Sequence, residues 1–274
     1  MANLSNLKDV VELEEDEEED EFESFSYAMQ LSTSITLSMA LQTAAEIGIF
    51  DVLQKAGKGA PLSAHDIVSR ISFNNINNPE EAARMLDRIL ALLTSHSILN
   101  CSILQDQQKL GYTMAPVARF FAPNSDGVSL APLLALTNDK IYLDVWSQFN
   151  DAIREGGNSF KMVHGADIFE YCRLDSRFNK VFNRAMMNHS TIVMKKVLEC
   201  YKGFEEVKRV VDVGGGVGMS INMITSKYPH IKGINFDLPH VIQHAPSYPG
   251  VEHIGGDMFQ SVPNGDVVFM KVRG

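Results

Sequence analysis

Apolar residues recur at helical spacing through the first half of the chain. Ser26 to Gly48 carries an apolar face that ends at a glycine, and this pattern predicts a helix. A capping box that begins at Ser63 and an N-cap at Asn78 followed by Pro79 predict the starts of two further helices. Two strand patterns follow, Cys101 to Gln105 and Leu110 to Met114. A helix pair followed by a small hairpin is the outline of a winged helix.

The second half begins with two helical patterns and then changes character. Asp139 to Glu155 and Asp175 to Tyr201 predict helices. From Lys208 onward, short apolar runs alternate with helical patterns, which is typical of a parallel, doubly wound α/β sheet. The predicted strands are Arg209–Val213, Gly233–Asp237, Val251–Ile254 and Asp266–Met270. We expect the spatial order 3-2-1-4, with the fourth strand as an apolar edge.

Charge separates the N-terminus from the rest of the chain. The net charge is −10, and residues 1–25 account for it, since they hold eleven acidic residues and one lysine. This composition predicts an acidic, disordered leader over residues 1–25. The neutral remainder has no basic stripe, which argues against a nucleic-acid partner. We therefore interpret residues 26–135 as a helical, winged-helix-like dimerisation domain, and residues 136–274 as the domain that contains the sheet.

Composition limits the compartment and the kind of site. The three cysteines are scattered, with no disulfide framework and no spacing typical of a metal site. No apolar run is long enough to span a bilayer, and the acidic N-terminus resembles neither a signal nor a transit peptide. These observations predict a cytoplasmic protein with no membrane partner and no metal.

A glycine-rich turn after the first predicted strand is the main candidate for chemistry. It has the form D-x-G-x-G-x-G, beginning at Asp212 and including Gly214. Such a turn lets the backbone approach a ligand at the N-terminus of a helix. Met219 is too large for the third small position of an NAD fingerprint, and no Lys follows Gly218 as a P-loop requires. Asp237, about twenty residues on, ends the next strand, where a carboxylate can hold a ribose.

The turn resembles the first motif of class I S-adenosylmethionine-dependent methyltransferases, and the motifs around it resemble the plant caffeate-type small-molecule O-methyltransferases. The motifs include Asn235 to Val241, Tyr248 to His253, Gly255 to Phe259, Phe269 to Lys271, and Ala115 to Phe120. The resemblance implies an N-terminal all-α, winged-helix-like dimerisation domain and an incomplete α/β Rossmann-like class I methyltransferase domain with a parallel sheet. It also implies S-adenosyl-L-methionine as methyl donor, a small aromatic substrate, a homodimer and no metal.

The resemblance assigns roles to individual positions. Gly214 would lie in the donor-binding turn, Asp237 would hold the ribose, and Lys271 would lie against the donor. Asp257 and Met258 match adenine contacts, in keeping with the affinity of a thioether for an aromatic ring. The residues that match the substrate wall lie on the long helix: Phe178, Phe182, Met186 and His189.

Two departures leave the methyl acceptor open. Cys172 stands where caffeate-type enzymes often have a histidine, and Leu136-Thr137 where Met-Asn is usual. The acidic leader followed by Ser-Tyr-Ala-Met-Gln is similar to that of relatives that methylate an arylamine nitrogen. A phenolic hydroxyl of phenylpropanoid type and an aromatic amine such as anthranilate are both compatible with the sequence.

The family's catalytic histidine follows a Met-Lys-Trp strand end, whereas this chain continues Met270-Lys271-Val272 and ends at Gly274. A general base at that position contributes about 10²–10⁴-fold to the rate. We therefore expect a C-terminally truncated and inactive chain with no catalytic residue of its own. The alternative is a non-catalytic protein that pairs through its dimerisation domain with full-length relatives and regulates them.

Overall fold

The computed structural model describes residues 20–71, 76–104 and 109–271. The chain divides into two compact units, Met1–Ala118 and Arg119–Gly274. The first nineteen residues of the predicted leader lie outside the described residues. Residues 20–25, which we expected to be disordered, are instead the beginning of a helix, α1 (residues 20–32).

The first unit is helical, with one small hairpin. After α1 its elements are α2 (Ser34–Glu46), α3 (Ile49–Ala56), α4 (Ala64–Val68), α5 (Pro79–Ser95), β1 (Leu99–Ile103) and β2 (Leu110–Met114). The capping box is present, because Ser63 Oγ accepts from the Asp66 N–H while the Asp66 carboxylate accepts from the Ser63 N–H. Asn78 caps α5, and Pro79 is its first residue, as predicted. β1 and β2 pair antiparallel.

The helix predicted from Ser26 to Gly48 is broken at Thr33, so the single-helix prediction is wrong. The Ser32 hydroxyl donates to the Ala28 carbonyl at 2.8 Å, and the Thr33 hydroxyl donates to the Met29 carbonyl at 2.9 Å. Two consecutive side chains that bond the carbonyl four residues back compete with the helical ladder and bend it. Within the described ranges, the only apolar stretch with the length and composition of a bilayer span is the pair α2 and α3, which is bent by 62°.

The second unit begins with helices. They are α6 (Ala131–Thr137), α7 (Lys140–Trp146), α8 (Phe149–Glu155), α9 (Ser159–His164), α10 (Ile168–Leu174) and α11 (Ser176–Cys200), and a short 3₁₀ turn at Ala118–Phe120 precedes them. The helix predicted from Asp139 to Glu155 is therefore two helices. The break follows Trp146, where the Ser147 hydroxyl donates to the Asp144 carbonyl at 2.7 Å. The prediction of one long helix from Asp175 is confirmed, with Asp175 as its N-cap.

A parallel sheet occupies the C-terminal part of the second unit. Its elements are β3 (Arg209–Val213), α12 (Met219–Lys227), β4 (Lys232–Asp237), α13 (Pro239–Ile242), β5 (Val251–Gly255) and β6 (Val267–Phe269). The observed order β5-β4-β3-β6 is the predicted 3-2-1-4. Among the described strands, β5 and β6 are the outer ones.

Both faces of the central strands are buried, which explains their continuous apolar character. Val211, Val213, Ile234 and Phe236 pack on one face together with Ile254. On the other face, Val210 packs against Met194 of α11 and against Ile221 and Ile224 of α12. This packing fixes the carboxyl ends of β3 and β4 side by side, and parallel sheets bind their ligands at that edge.

Candidate functional site

The glycine turn lies between β3 and α12, as predicted. Gly214, Gly216 and Gly218 have φ angles of +71°, +61° and +85°, a region that other residues rarely adopt. The Gly214 N–H donates to the Phe236 carbonyl at 2.8 Å, so the turn is anchored to β4. A Cβ added at Gly214 or at Gly216 would meet no atom within 4 Å among the described residues. The outer surface of the turn is therefore open to a ligand.

The structure brings Asp237 to this turn. Asp237 Oδ2 accepts from the Gly216 N–H at 2.8 Å, and Oδ1 accepts from the Leu238 N–H at 2.7 Å. A carboxylate oxygen can accept two hydrogen bonds, so each oxygen keeps capacity for a ligand hydroxyl. The ribose position predicted from sequence and the predicted turn thus form one continuous surface.

Asp257 and Met258 follow the carboxyl end of β5. The segment is tied to β4, because the Gly256 N–H donates to the Asp237 carbonyl at 2.9 Å. Asp257 caps its own turn, since its Oδ1 accepts from the Phe259 N–H at 2.9 Å. Met258 is 43% exposed, so its thioether is free to contact a ligand.

Lys271 follows β6 and connects the edge of the sheet to the long helix. Its ammonium group donates to the hydroxyl of Ser190 on α11. Ser190 is the neighbour of His189, one of the positions predicted to line the substrate. Lys271 also lies close enough to Asp212 to favour the ionised form of that carboxyl group.

The four residues predicted to form the substrate wall do not share one environment. Phe178 is fully buried and Phe182 is 9% exposed, and both belong to an aromatic cluster that includes Tyr142, Phe160 and Tyr171. Met186 packs against the same cluster and is only partly buried. His189 is also partly buried. The two phenylalanines are therefore core residues in this structure, and Met186 and His189 are the positions with exposed surface.

Cys172, where the sequence departs from the caffeate-type pattern, belongs to the same cluster. Burial raises the pKa of its thiol to about 11. The thiol is therefore neutral at physiological pH and serves as an apolar packing group rather than as a base.

Sequence reasoning assigned no role to three polar residues that lie beneath the turn. Asp212, Asn235 and His253 occupy matching positions on β3, β4 and β5. Asp212 is 1% exposed and Asn235 is fully buried. Burial raises the pKa of Asp212 to about 7. A polar residue within an otherwise apolar buried strand is costly unless it is hydrogen-bonded, and this signal in the sequence could have identified the first two.

These side chains hold the turn from below. Asn235 Nδ2 donates to the Gly216 carbonyl at 2.9 Å and lies 3.0 Å from His253 Nδ1. A Cβ added at Gly215 would lie 2.2 Å from Asn235 Oδ1 and 2.7 Å from Asp212 Oδ2. The second glycine of the turn is therefore required because of space, whereas its neighbours are required because of backbone conformation.

Two family models match the chain. The O-methyltransferase dimerisation domain matches residues 29–124, and the O-methyltransferase domain matches residues 146–272. Both halves of the predicted fold, a helical dimerisation domain followed by an α/β methyltransferase domain, are thereby confirmed.

Curated relatives agree with this assignment. Catechol O-methyltransferase 1 of Solanum lycopersicum is 53% identical over 250 residues, which are 90% of this chain and 66% of that protein. Caffeic acid 3-O-methyltransferase of Eucalyptus globulus is 51% identical over 248 residues, which are 89% of this chain and 78% of that protein. The chain thus spans about two thirds to three quarters of the length of these relatives.

A solved structure shows the same fold at lower sequence identity. The crystal structure of human N-acetylserotonin methyltransferase in complex with SAM is similar with a TM-score of 0.67 and 21% identity, over 90% of this chain and 70% of that one. With a glycine turn at the carboxyl edge of a parallel sheet, matches to both domain models and plant relatives more than 50% identical, the chain belongs to the family of S-adenosylmethionine-dependent O-methyltransferases.

Proposed function

We propose that this chain binds S-adenosyl-L-methionine and belongs to an enzyme that methylates the hydroxyl group of a small phenol. The observation that carries the proposal is the hydrogen bond from the Gly216 N–H to Asp237 Oδ2, which joins the open glycine turn to a carboxylate at the same edge of the sheet. A nucleoside ligand needs both features, a backbone without side chains and an acceptor pair for its diol.

The proposed donor contacts follow from this geometry. The remaining acceptor capacity of Asp237 suits the two ribose hydroxyls, and the bare turn at Gly214 admits the rest of the donor. Asp257 and Met258 lie beyond Asp237 along the same edge and suit an adenine ring, the first through its amino hydrogens and the second through its face. Lys271 lies at the end of β6, on the far side of β3 from Asp237.

We propose the acceptor class from the relatives and the composition of the wall. The relatives are named for catechol, caffeic acid and esculetin, all of which are phenols. Met186 and His189 would touch the acceptor, and Phe178 and Phe182 would form the rigid backing behind them. An apolar wall of this kind fits a flat aromatic ring better than a charged or extended substrate.

Methyl transfer depends more on the relative orientation of donor and acceptor than on acid–base catalysis. When bound, S-adenosyl-L-methionine supplies a methyl group activated by a positively charged sulfur. The residues of this chain would bind the donor at one edge of the sheet and present an aromatic wall from α11. Holding two reactants in a productive alignment replaces a bimolecular encounter and can lower the barrier by about 7–11 kcal/mol.

We also propose that the first unit pairs with a second copy of the chain. Large apolar side chains are exposed along α1 and α2: Phe22, Phe25, Tyr27, Met29, Leu31, Ile35 and Met39. A concentration of exposed large apolar side chains is typical of a protein interface. The same surface could accept a longer relative, which would give a heterodimer.

The proposed division between the dimerisation and donor-binding domains lies at residues 135 and 136. It falls between the two matched regions, which end at residue 124 and begin at residue 146. Helix α6 crosses this position and packs against α11 within the second unit.

Calorimetric titration of the purified chain with S-adenosyl-L-methionine tests the proposed donor site, and light scattering tests the dimer. We expect saturable binding of one donor per chain and a mass of two chains.

A panel of catechol, caffeate, esculetin and anthranilate with methyl-labelled donor then tests the acceptor, both for the chain alone and after co-expression with the Eucalyptus relative. Label on the anthranilate nitrogen and on no phenol would contradict the proposed acceptor, and absence of donor binding would contradict the whole proposal.

A further inference from the structure

Three polar side chains form a row across the sheet beneath the glycine turn. Asp212, Asn235 and His253 are direct register partners on adjacent strands, so their side chains lie on the same face. The turn sits on this row, because a Cβ at Gly218 would lie 3.0 Å from His253 Cε1 and 3.2 Å from Asn235 Cγ. Any rearrangement of the row would therefore move the turn.

The direction of the hydrogen bonds in this row is fixed from one end. His253 Nε2 lies 2.9 Å from the Pro246 carbonyl, which can only accept, so Nε2 carries a hydrogen. In a neutral imidazole the other nitrogen, Nδ1, then accepts. The group 3.0 Å from Nδ1 must donate, and this group is the amide nitrogen of Asn235.

The Gly216 carbonyl fixes the same orientation independently. It too can only accept, and it lies 2.9 Å from Asn235 Nδ2. Both hydrogens of the Asn235 amide are therefore used, one on the turn and one on β5. The amide oxygen, Oδ1, must then point to the opposite side, toward β3.

On that side, two buried oxygens lie within 2.7 Å of one point, the Cβ position of Gly215. Asn235 Oδ1 and Asp212 Oδ2 both lie close to the Cβ position of Gly215, and neither has a hydrogen-bond partner among the described residues. Two acceptors buried side by side are unfavourable, since each loses its bond to water. A proton on Asp212 gives both oxygens a hydrogen-bond partner, because the acid hydroxyl can donate to the amide oxygen.

We propose that Asn235 is a positioning residue of the donor site, held in one orientation by a proton on Asp212 and by His253 Nδ1 as an acceptor, and that this orientation sets the Gly216 carbonyl and with it the turn. The proposal deepens the donor-binding function and rests on it. The chain of donation runs from Asp212 through Asn235 and His253 to the Pro246 carbonyl.

The electrostatics of Asp212 agree with this arrangement. Burial is the largest influence and raises its pKa to about 7, and the neighbouring Asp237 acts in the same direction. The Ile221 N–H and Lys271 act in the opposite direction. The folded state therefore keeps a proton that the unfolded state releases above about pH 4. By linkage, this group makes the fold less stable as the pH rises from about 4 to about 7.

Two substitutions test this arrangement, one at Asp212 and one at Asn235. Asp212→Asn replaces the protonated acid by an amide that can donate to Asn235 Oδ1 and accept from the Ile221 N–H at any pH. Asn235→Asp removes the hydrogens that hold Gly216 and His253. Asn264→Asp is the matched control, because it makes the same change at an exposed position at the other end of the sheet.

The affinity of the full chain for S-adenosyl-L-methionine is measured at pH 6 and pH 8.5, together with the midpoint of urea unfolding across that range. We expect wild-type binding to weaken about tenfold at the higher pH, which corresponds to the loss of one buried hydrogen bond. Asp212→Asn should show no such dependence in binding or in unfolding. Asn235→Asp should bind about tenfold more weakly than wild type already at pH 6, and Asn264→Asp should match wild type.

Two results would overturn the proposal. One is an Asp212→Asn variant that loses donor binding at pH 6, which would mean that the carboxylate charge is what matters. The other is a His253 ring with its hydrogen on Nδ1, measured from its ¹⁵N shifts in the full chain. If wild type binds no donor, the proposed function fails, and the unfolding profile of Asp212→Asn and the His253 tautomer still decide the orientation of Asn235. The same two measurements decide it if Asn235→Asp does not fold.

Discussion

The proposed donor edge and the proposed acceptor wall of the second unit are built in opposite ways. The donor edge is made of backbone and short polar side chains whose positions follow from strand register: the turn, Asp237 and the row beneath it. The acceptor wall is made of large rings on α11 whose positions follow from packing. Hydrogen bonds have one correct geometry, whereas apolar packing tolerates several. We therefore expect the donor edge to be sensitive to single atoms and the acceptor wall to be sensitive to volume.

The largest effect should come from removing volume in the wall. Phe178→Ala deletes a fully buried ring and should lower the free energy of unfolding by about 4 kcal/mol, while the protein that remains folded still binds the donor. Urea unfolding and donor titration measure the two quantities. Phe259→Ala is the control, since this ring is 91% exposed and its loss should change stability by less than about 0.5 kcal/mol. Loss of donor affinity without loss of stability in Phe178→Ala would contradict the expectation that the wall acts through its volume and the donor edge through its contacts.

The next effect should come from adding a single methyl group at the donor edge. In Gly215→Ala the new Cβ collides with two buried oxygens, so we expect a loss of about 3 kcal/mol in stability together with loss of donor binding. Gly165→Ala separates space from backbone conformation. Gly165, at the end of α9, has φ of +74° in the left-handed region with open space around it, and its substitution should cost only about 1–2 kcal/mol without affecting the donor. Equal losses of stability in the two variants would show that the row beneath the turn rearranges around the new methyl group at little cost in free energy.

A smaller effect should follow from Asp237→Asn. An amide oxygen can replace only one of the two carboxylate acceptors, so either Gly216 or Leu238 loses its partner. We expect the free energy of unfolding to fall by about 1–2 kcal/mol and donor binding, measured by titration, to weaken about tenfold.

Asp266→Asn is the matched control for this change. Asp266 accepts from the Lys208 and Arg209 N–H groups at 3.0 and 2.8 Å, at the amino end of the same sheet. Both bonds end on Oδ2, which one amide oxygen can replace, so this substitution should lower stability by less than Asp237→Asn does and should leave donor binding unchanged. Weaker donor binding in this variant would mean that general loosening of the sheet explains both results.

The smallest effect concerns the ion pair that joins α7 to α11 behind the wall. A hydrogen bond from Arg177 lowers the pKa of Asp139, with Nη2 and Oδ1 at 3.0 Å. A lowered pKa means that the contribution to stability is complete above about pH 4 and is lost as the pH falls through the lower value. Because Arg177 is more than half exposed, Arg177→Gln should cost only about 0.5–1 kcal/mol at pH 7 and nothing once Asp139 is protonated.

Arg154→Gln provides the comparison for that prediction. Arg154 pairs with Asp151 within α8 at 3.2 Å, and the Arg154 side chain is largely exposed while that of Asp151 is partly exposed. Unfolding midpoints of the two variants between pH 2.5 and pH 7 should differ at neutral pH and converge in acid. A difference that persists in acid would indicate that the Arg177 side chain stabilises the wall by packing rather than by charge.

The backbone of the proposed donor edge could be predicted from sequence because its determinants are local. Alternating glycines, the aspartate that ends the next strand and the apolar runs between them fix the turn, the strand and the sheet order. The row beneath the turn was missed, although Asp212 and Asn235 are polar residues inside buried strands. Their partnership depends on register across three strands, and no local spacing along the chain reports it.

The helix breaks and the acceptor wall could not be predicted in the same way. Ser32 and Thr33 leave the helical period intact, and the break depends on hydroxyls that bond backward to carbonyls. Phe178 and Phe182 have the spacing of one helix face, which is equally compatible with a core and with a ligand wall. Only the rings that α7, α9 and α10 supply around them show that these two positions are buried.

Gly216 is held through both of its backbone groups, its N–H by Asp237 and its carbonyl by Asn235. Ordering a free residue costs about 1–2 kcal/mol of conformational entropy. In this turn that cost is met when the chain folds, so it does not reduce the affinity for an incoming ligand. The glycines give this turn a backbone with many accessible conformations in the unfolded chain, but the turn is rigid once the chain has folded. Ligand binding should therefore leave the amide dynamics of residues 214–218 almost unchanged.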